Sequence, residues 1–108
     1  MQLRSDDRVL LLVPASGAEL AALGRILVKG VLVVLGEGDE IRHLRAQLSE
    51  FENILLLEAS PDRIPWREQY FSKIVVPPQL ERTLPHLLGE LRRVMALEGE
   101  LVRSAIPV

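Results

Sequence analysis

Two short runs, VLLLV at 9–13 and VLVVL at 31–35, contain no polar residue. A strand with one wet face alternates apolar and polar side chains, whereas an all-apolar strand needs cover on both faces. Parallel strands of α/β sheets have this character, because crossover helices lie against both sides. Helix signals fill the gaps as that architecture requires. Ser16-Gly17-Ala18-Glu19 matches a capping box, in which the Ser16 hydroxyl caps the N3 amide and Glu19 reaches back to the Ser16 amide. The helix it opens runs to about residue 28, with Gly30 as a left-handed terminator.

The same alternation continues along the chain. Gly36-Glu37-Gly38 turns it, Asp39 starts a second helix, and Ile41, Leu44 and Leu48 share one face of that helix. Residues 53–57 read as a third strand, and residues 58–70, with Pro61 and Pro65, as a long crossover loop. Residues 71–76 form a fourth strand stopped by Pro77-Pro78. Leu80, Leu84, Leu87, Leu88, Leu91 and Met95 then predict a helix over 79–97, with Pro85 marking a kink or a late start near Leu84. Gly99 ends that helix, and residues 100–106 form a fifth strand. The expected architecture is one α/β domain over residues 1–108, a doubly wound, mostly parallel five-stranded Rossmann-like sheet.

Composition excludes several classes of function. The 108 residues carry 13 basic and 15 acidic side chains, a net charge of −2, so no general field draws the chain to nucleic acid or anionic membrane. Arg42/Arg45 and Arg92/Arg93 read as solvated helix faces. Without cysteine there is no disulfide, thiol nucleophile or thiolate metal site, and His43 and His86 each stand alone in a helical pattern. No metal site and no catalytic residue is expected. The polar start, Arg4-Ser5-Asp6-Asp7, is not a secretory signal, and no apolar run is long enough to cross a bilayer. A soluble cytoplasmic protein is expected.

Four segments in order resemble the class I S-adenosylmethionine-dependent methyltransferases, over roughly residues 8 to 106. VLLLVPASG lies without gaps on the family's strand-and-loop pattern, hydrophobic–hydrophobic–Asp/Glu–x–Gly–x–Gly–x–Gly. NILLLEASPDRIPW resembles its third strand and acidic loop, and FSKIVV its Phe-Asp-hydrophobic fourth strand. LLGELRRVMALEGELVRS is similar to its Glu-x-x-Arg-Val-Leu-Lys-Pro-Gly-Gly helix and fifth strand, with Glu90, Arg93, Val94 and Gly99 in register. The resemblance implies a truncated version of that fold with strand order 3-2-1-4-5.

It also implies which polar anchors should be present, and they are replaced. The first-strand acid falls at Leu11 and the loop glycines at Val13, Ala15 and Gly17. The acid that grips the ribose falls at Leu35, the one near the adenine amine at Ser60, and the fourth-strand acid at Ser72. A hydrogen bond to a charged group contributes about 1.5–3 kcal/mol, and an unpaired buried hydroxyl costs a further ~1–3 kcal/mol. Micromolar binding is only about −8 kcal/mol in total. The vestigial cofactor positions are therefore Gly17, Ala15, Glu37, Ser60 and Trp66, with no cofactor expected unless the family's function, and with it S-adenosylmethionine, is retained.

Glu37 and Glu58 offer carboxylates for the ribose and the base, although solvated acids at a turn are the simpler reading. Gly36-Glu37-Gly38 as a phosphate loop has Ile41 where a third glycine belongs, and its acids repel an anion. Trp66 and Tyr70 either stack on a base or cover the end of the sheet, and packing is the favoured reading. The family's later strands would cover strand five. An edge carrying Leu101, Val102, Ala105 and Ile106, blunted at most by Arg103 and Pro107, predicts a homodimer through the last strand or its neighbouring helix. The leading expectation is a non-catalytic domain acting as a structural or interaction module. Two alternatives stay open: a methyltransferase or sensor that still binds S-adenosylmethionine, and a different nucleotide-binding domain using the Gly36/Gly38 turn.

Overall fold

A computed structural model describes residues 3–12 and 15–103. Five strands form one sheet: β1 (Arg8–Leu12), β2 (Val31–Gly36), β3 (Ile54–Glu58), β4 (Phe71–Val75) and β5 (Met95–Val102). Their order is β3-β2-β1-β4-β5, and every adjacent pair is parallel. Helices α1 (Gly17–Ile26) and α2 (Gly38–Gln47) cover one face, and α3 (Leu84–Val94) the other.

The all-apolar runs behave as two-faced strands. Val9 and Leu11 of β1 join Val34, Leu20, Leu23, Ile41 and Leu44 in the core beneath α1 and α2. Leu10 and Leu12 point the other way, into a second core with Val33, Phe71, Ile74, Leu87 and Leu91 beneath α3. All four β1 leucines and valines are at most 1% exposed.

The capping box forms as expected: the Glu19 amide donates to Ser16 Oγ and the Ser16 amide to Glu19 Oε1, both at 3.1 Å. Pro85 sits in the first turn of α3, so the helix starts late, at Leu84, and Pro78–Leu80 form a separate 3₁₀ turn. Proline is tolerated there because the first-turn amides have no intrahelical partner.

The end of α1 and the α3–β5 junction differ from expectation by two residues or more. Helix α1 ends at Ile26, two residues early, and Gly30 is not left-handed, since no described glycine has a positive φ. The end of α1 is held instead by Asn53, whose Nδ2 donates to the carbonyls of Gly24 at 2.8 Å and Leu27 at 2.9 Å. Glycine is required at 30 because a Cβ would fall on the Asp7 carbonyl.

Helix α3 stops at Val94 rather than 97, and β5 begins at once with Met95. Gly99 therefore lies inside a strand and terminates nothing. A Cβ there would meet the Met95 side chain, with the Ala96 carbonyl at 2.9 Å and that of Phe71 at 3.0 Å. The expected strand residues Ala105 and Ile106, and Pro107, lie outside the described residues, as do Val13 and Pro14.

Candidate functional site

A cleft of about 520 Å³ opens at the carboxyl ends of β1, β2 and β3. Ligands of open α/β sheets bind at this end, where the strand order reverses. Its floor is Leu12 and Leu35 with Gly36, one wall is the start of α2, and the other is the chain leaving β3, from Glu58 to Pro61. Leu80 of the 3₁₀ turn forms the lip.

Three carboxylates face this space: Glu37, Glu40 and Glu58, with no lysine or arginine among the lining residues. Glu37 occupies the N-cap of α2 through its backbone, accepting from the Ile41 amide at 2.9 Å, and its side chain makes no cap. Glu58 stands opposite Gly36 in the β2–β3 register. Its Oε2 lies 3.5 Å from where a Gly38 Cβ would be, as does Arg42 Nη1, while Arg42 itself pairs with Asp39. Ser60 donates its hydroxyl to Asp62.

Of the sequence-predicted positions, the cleft brings together Glu37 and Ser60, joined by Glu58. Ala15 is half-buried against the α1–α2 core. Gly17 faces the Gln47 carboxamide, which occupies the space where a Cβ would stand. Trp66 packs with Tyr70 and Phe71, at ring separations of 5.4 and 5.7 Å, against the α3 core. Leu11 is 1% exposed in the α1–α2 core, and Leu35 is 2% exposed with its side chain in the α3 core. His43 and His86 are exposed on their helices. Among the described residues, no three His, Cys, Asp or Glu side chains gather as metal ligands, and no helix is long and apolar enough to cross a membrane.

Leu12, Glu40, Ala59 and Leu80 are cleft residues that the sequence reading missed. Leu80 fell on the α3 apolar stripe, and Pro85, marking a late start near Leu84, was the signal that set it outside the helix, in the turn that carries it to the lip.

Two polar networks lie away from the cleft. At the opposite end of the sheet, buried Asp7 accepts from the Arg4 amide and the Ser72 hydroxyl, both at 2.8 Å, and from Lys73 Nζ at 3.5 Å. Burial pushes its carboxyl up, but these donors outweigh burial and hold it below its ordinary value. Ser72 thus serves strand ends at the opposite end of the sheet from the cleft, also accepting from the Arg8 amide at 2.9 Å. On α3, Arg93 Nε donates to Glu90 Oε1 at 2.6 Å. Together they hold the crossover: Glu90 accepts from the Ile64 amide at 2.6 Å, and Arg93 donates to the Ile64 and Trp66 carbonyls at 2.8 and 3.0 Å. The Arg93 hydrogen bond, then the Ile64 amide, lowers the Glu90 carboxyl below its usual range.

No protein-family model and no curated relative matches the sequence. Solved structures do match. A SAM-dependent methyltransferase from Aquifex aeolicus superposes with a TM-score of 0.76 at 20% identity, covering 88% of this chain and 54% of that one. The fibrillarin pre-rRNA processing protein of Methanococcus jannaschii gives 0.77 at 16% identity, over 91% and 44%. A chain of a fibrillarin–Nop5p complex gives 0.76 at 23%, over 94% and 50%. The present chain thus spans about half the length of the solved structures it matches. At these identities the likeness is one of fold: the chain has the Rossmann-like architecture of class I S-adenosylmethionine-dependent methyltransferases.

Proposed function

With a methyltransferase-type sheet as the premise, we propose that this domain is a non-catalytic, cytoplasmic interaction module, with a second copy of itself as partner. One observation carries the reading. Two of the three strand positions where the fold family places its acids are Leu11 and Leu35, both shut into core at 1–2% exposure, and the third, Ser72, is tied to Asp7 and Arg8 at the far end of the sheet. A buried leucine neither accepts from a ribose hydroxyl nor pairs with a cation, and each polar ligand group facing it loses its water without replacement.

The residues present do not fit S-adenosylmethionine as a whole. Glu37 and Glu58 supply acceptors beside the cleft, and Leu12, Leu35 and Leu80 supply apolar walls. The one loop glycine, Gly17, is spent on the Gln47 carboxamide, so its bare backbone is not free for the amino-acid end of the ligand. No step of methyl transfer is assigned to any residue of this chain.

The cleft also favours a second reading, weak retention of the cofactor through the Glu37 and Glu58 carboxylates. Calorimetric titration with S-adenosylmethionine and S-adenosylhomocysteine separates the two. The expected result is no saturable heat up to about 1 mM ligand, where binding would be worth only about −4 kcal/mol. A micromolar isotherm lost in Glu37→Ala or Glu58→Ala overturns the non-catalytic reading in favour of the second.

A further inference from the structure

Strand β5 is not a plain edge. Phe71 pairs with Met95 but Lys73 pairs with Glu100, so a step of two residues along β4 is matched by a step of five along β5. The surplus loops outward as a bulge closed by Gly99, where Met95, the Ala96 carbonyl and the Phe71 carbonyl leave no room for a side chain. At its tip stands Leu97, 87% exposed, the most exposed of the described large hydrophobic residues. A bulge interrupts the hydrogen-bond ladder and so opposes continuous pairing with another strand. What it presents is a side chain.

Concavities flank the tip on both sides, of about 460 and 400 Å³. One holds Arg4 and Glu98, the other Arg92 and Glu68. Each therefore carries both signs of charge. A two-fold axis sets a patch against itself, so a patch of one sign repels its copy, whereas a mixed patch around an apolar knob complements it.

We propose that a second copy of this chain docks at the β5 bulge across a two-fold axis, with Leu97 of each copy buried in a flanking concavity of the other. This rests on the reading of the domain as a self-associating module and names the surface that does it. Contact is made by side chains at the bulge, not by extension of the sheet.

Sedimentation velocity over a concentration series tests it, using the full chain, Leu97→Asp, Leu97→Gln and Val28→Asp. Among the described residues, Val28 is the other strongly exposed large apolar residue, at 70%. The wild type and Val28→Asp are expected to dimerise alike, and both Leu97 variants to raise the dissociation constant at least ~tenfold with unchanged circular dichroism. Because Leu97 is solvent-exposed, Leu97→Gln keeps the fold even if the charged variant perturbs it. A dimer that persists in both Leu97 variants overturns the bulge as the interface while leaving self-association standing. Equal loss in Val28→Asp overturns it as nonspecific stickiness. A monomeric wild type overturns self-association itself, and none of these results depends on whether a nucleoside binds in the cleft.

Discussion

Glu90 and Arg93 lie one turn apart on α3, and their spacing was visible in the sequence as part of a helix-and-strand resemblance. Their targets were not, because they are the backbone amide and carbonyls of Ile64 and Trp66, which carry no side-chain signal. Asp7 is a similar case: it read as part of a polar start, while its partners Ser72 and Lys73 come from β4. Glu90→Ala leaves the Ile64 amide without its acceptor, and Ile64 is only 3% exposed. The expected cost is about 1–3 kcal/mol, read as a lower urea midpoint at unchanged m-value. Acid provides a second check. Both Asp7 and Glu90 titrate below their ordinary values of 3.8 and 4.5, so on acidification the unfolded chain takes up these protons before the folded one. Their contribution is complete above the ordinary values and is lost as pH falls through and below them. Calorimetric melting temperatures should be level near neutrality and decline once pH drops under about 4.5, the ordinary Glu90 value.

The elements that sequence located best are the ones whose pattern is set by burial alone. A run such as 31–35 is apolar on both faces because helices cover both faces, and nothing distant needs to be known. Helix ends were read less well. The close of α1 depends on Asn53, which arrives with β3, and on the approach of the Asp7 carbonyl to Gly30; neither leaves a mark near residue 28. The α3-to-β5 junction was misplaced because Met95 continues the apolar stripe although the backbone has already turned extended. Glycines separate these cases experimentally. Gly30→Ala drives a Cβ into backbone that cannot yield, and should destabilise by more than about 1 kcal/mol. Gly89→Ala lies exposed within α3 with nothing within 4 Å of the new atom, and should stabilise by about 0.5–1 kcal/mol. Parallel denaturant curves for the two variants give the opposite signs directly.

Across the whole molecule, the sheet carries its three cleft carboxylates at one end and the Asp7–Lys73 pair at the other. Their common sign at the cleft makes the Gly36–Gly38 turn a poor host for phosphate, so adenosine and guanosine triphosphates should leave the melting temperature unchanged; a dose-dependent rise would argue for a nucleotide site. Two of the five expected positions, Glu37 and Ser60, lie at the cleft. Glu37 and Ser60 follow directly from strand ends, whose direction the topology fixes. Gly17 and Trp66 do not, because what covers them, Gln47 and the aromatic cluster, is decided by how α2 and the crossover pack. That crossover has a consequence of its own. It displays Arg63 and Arg67 to solvent on either side of backbone that α3 grips at Ile64 and Trp66. Trypsin must pull several residues into its groove to cut, so the native chain should survive at both arginines until α3 lets go. The time course of nicking there then reports the opening of a single helix rather than the melting of the domain.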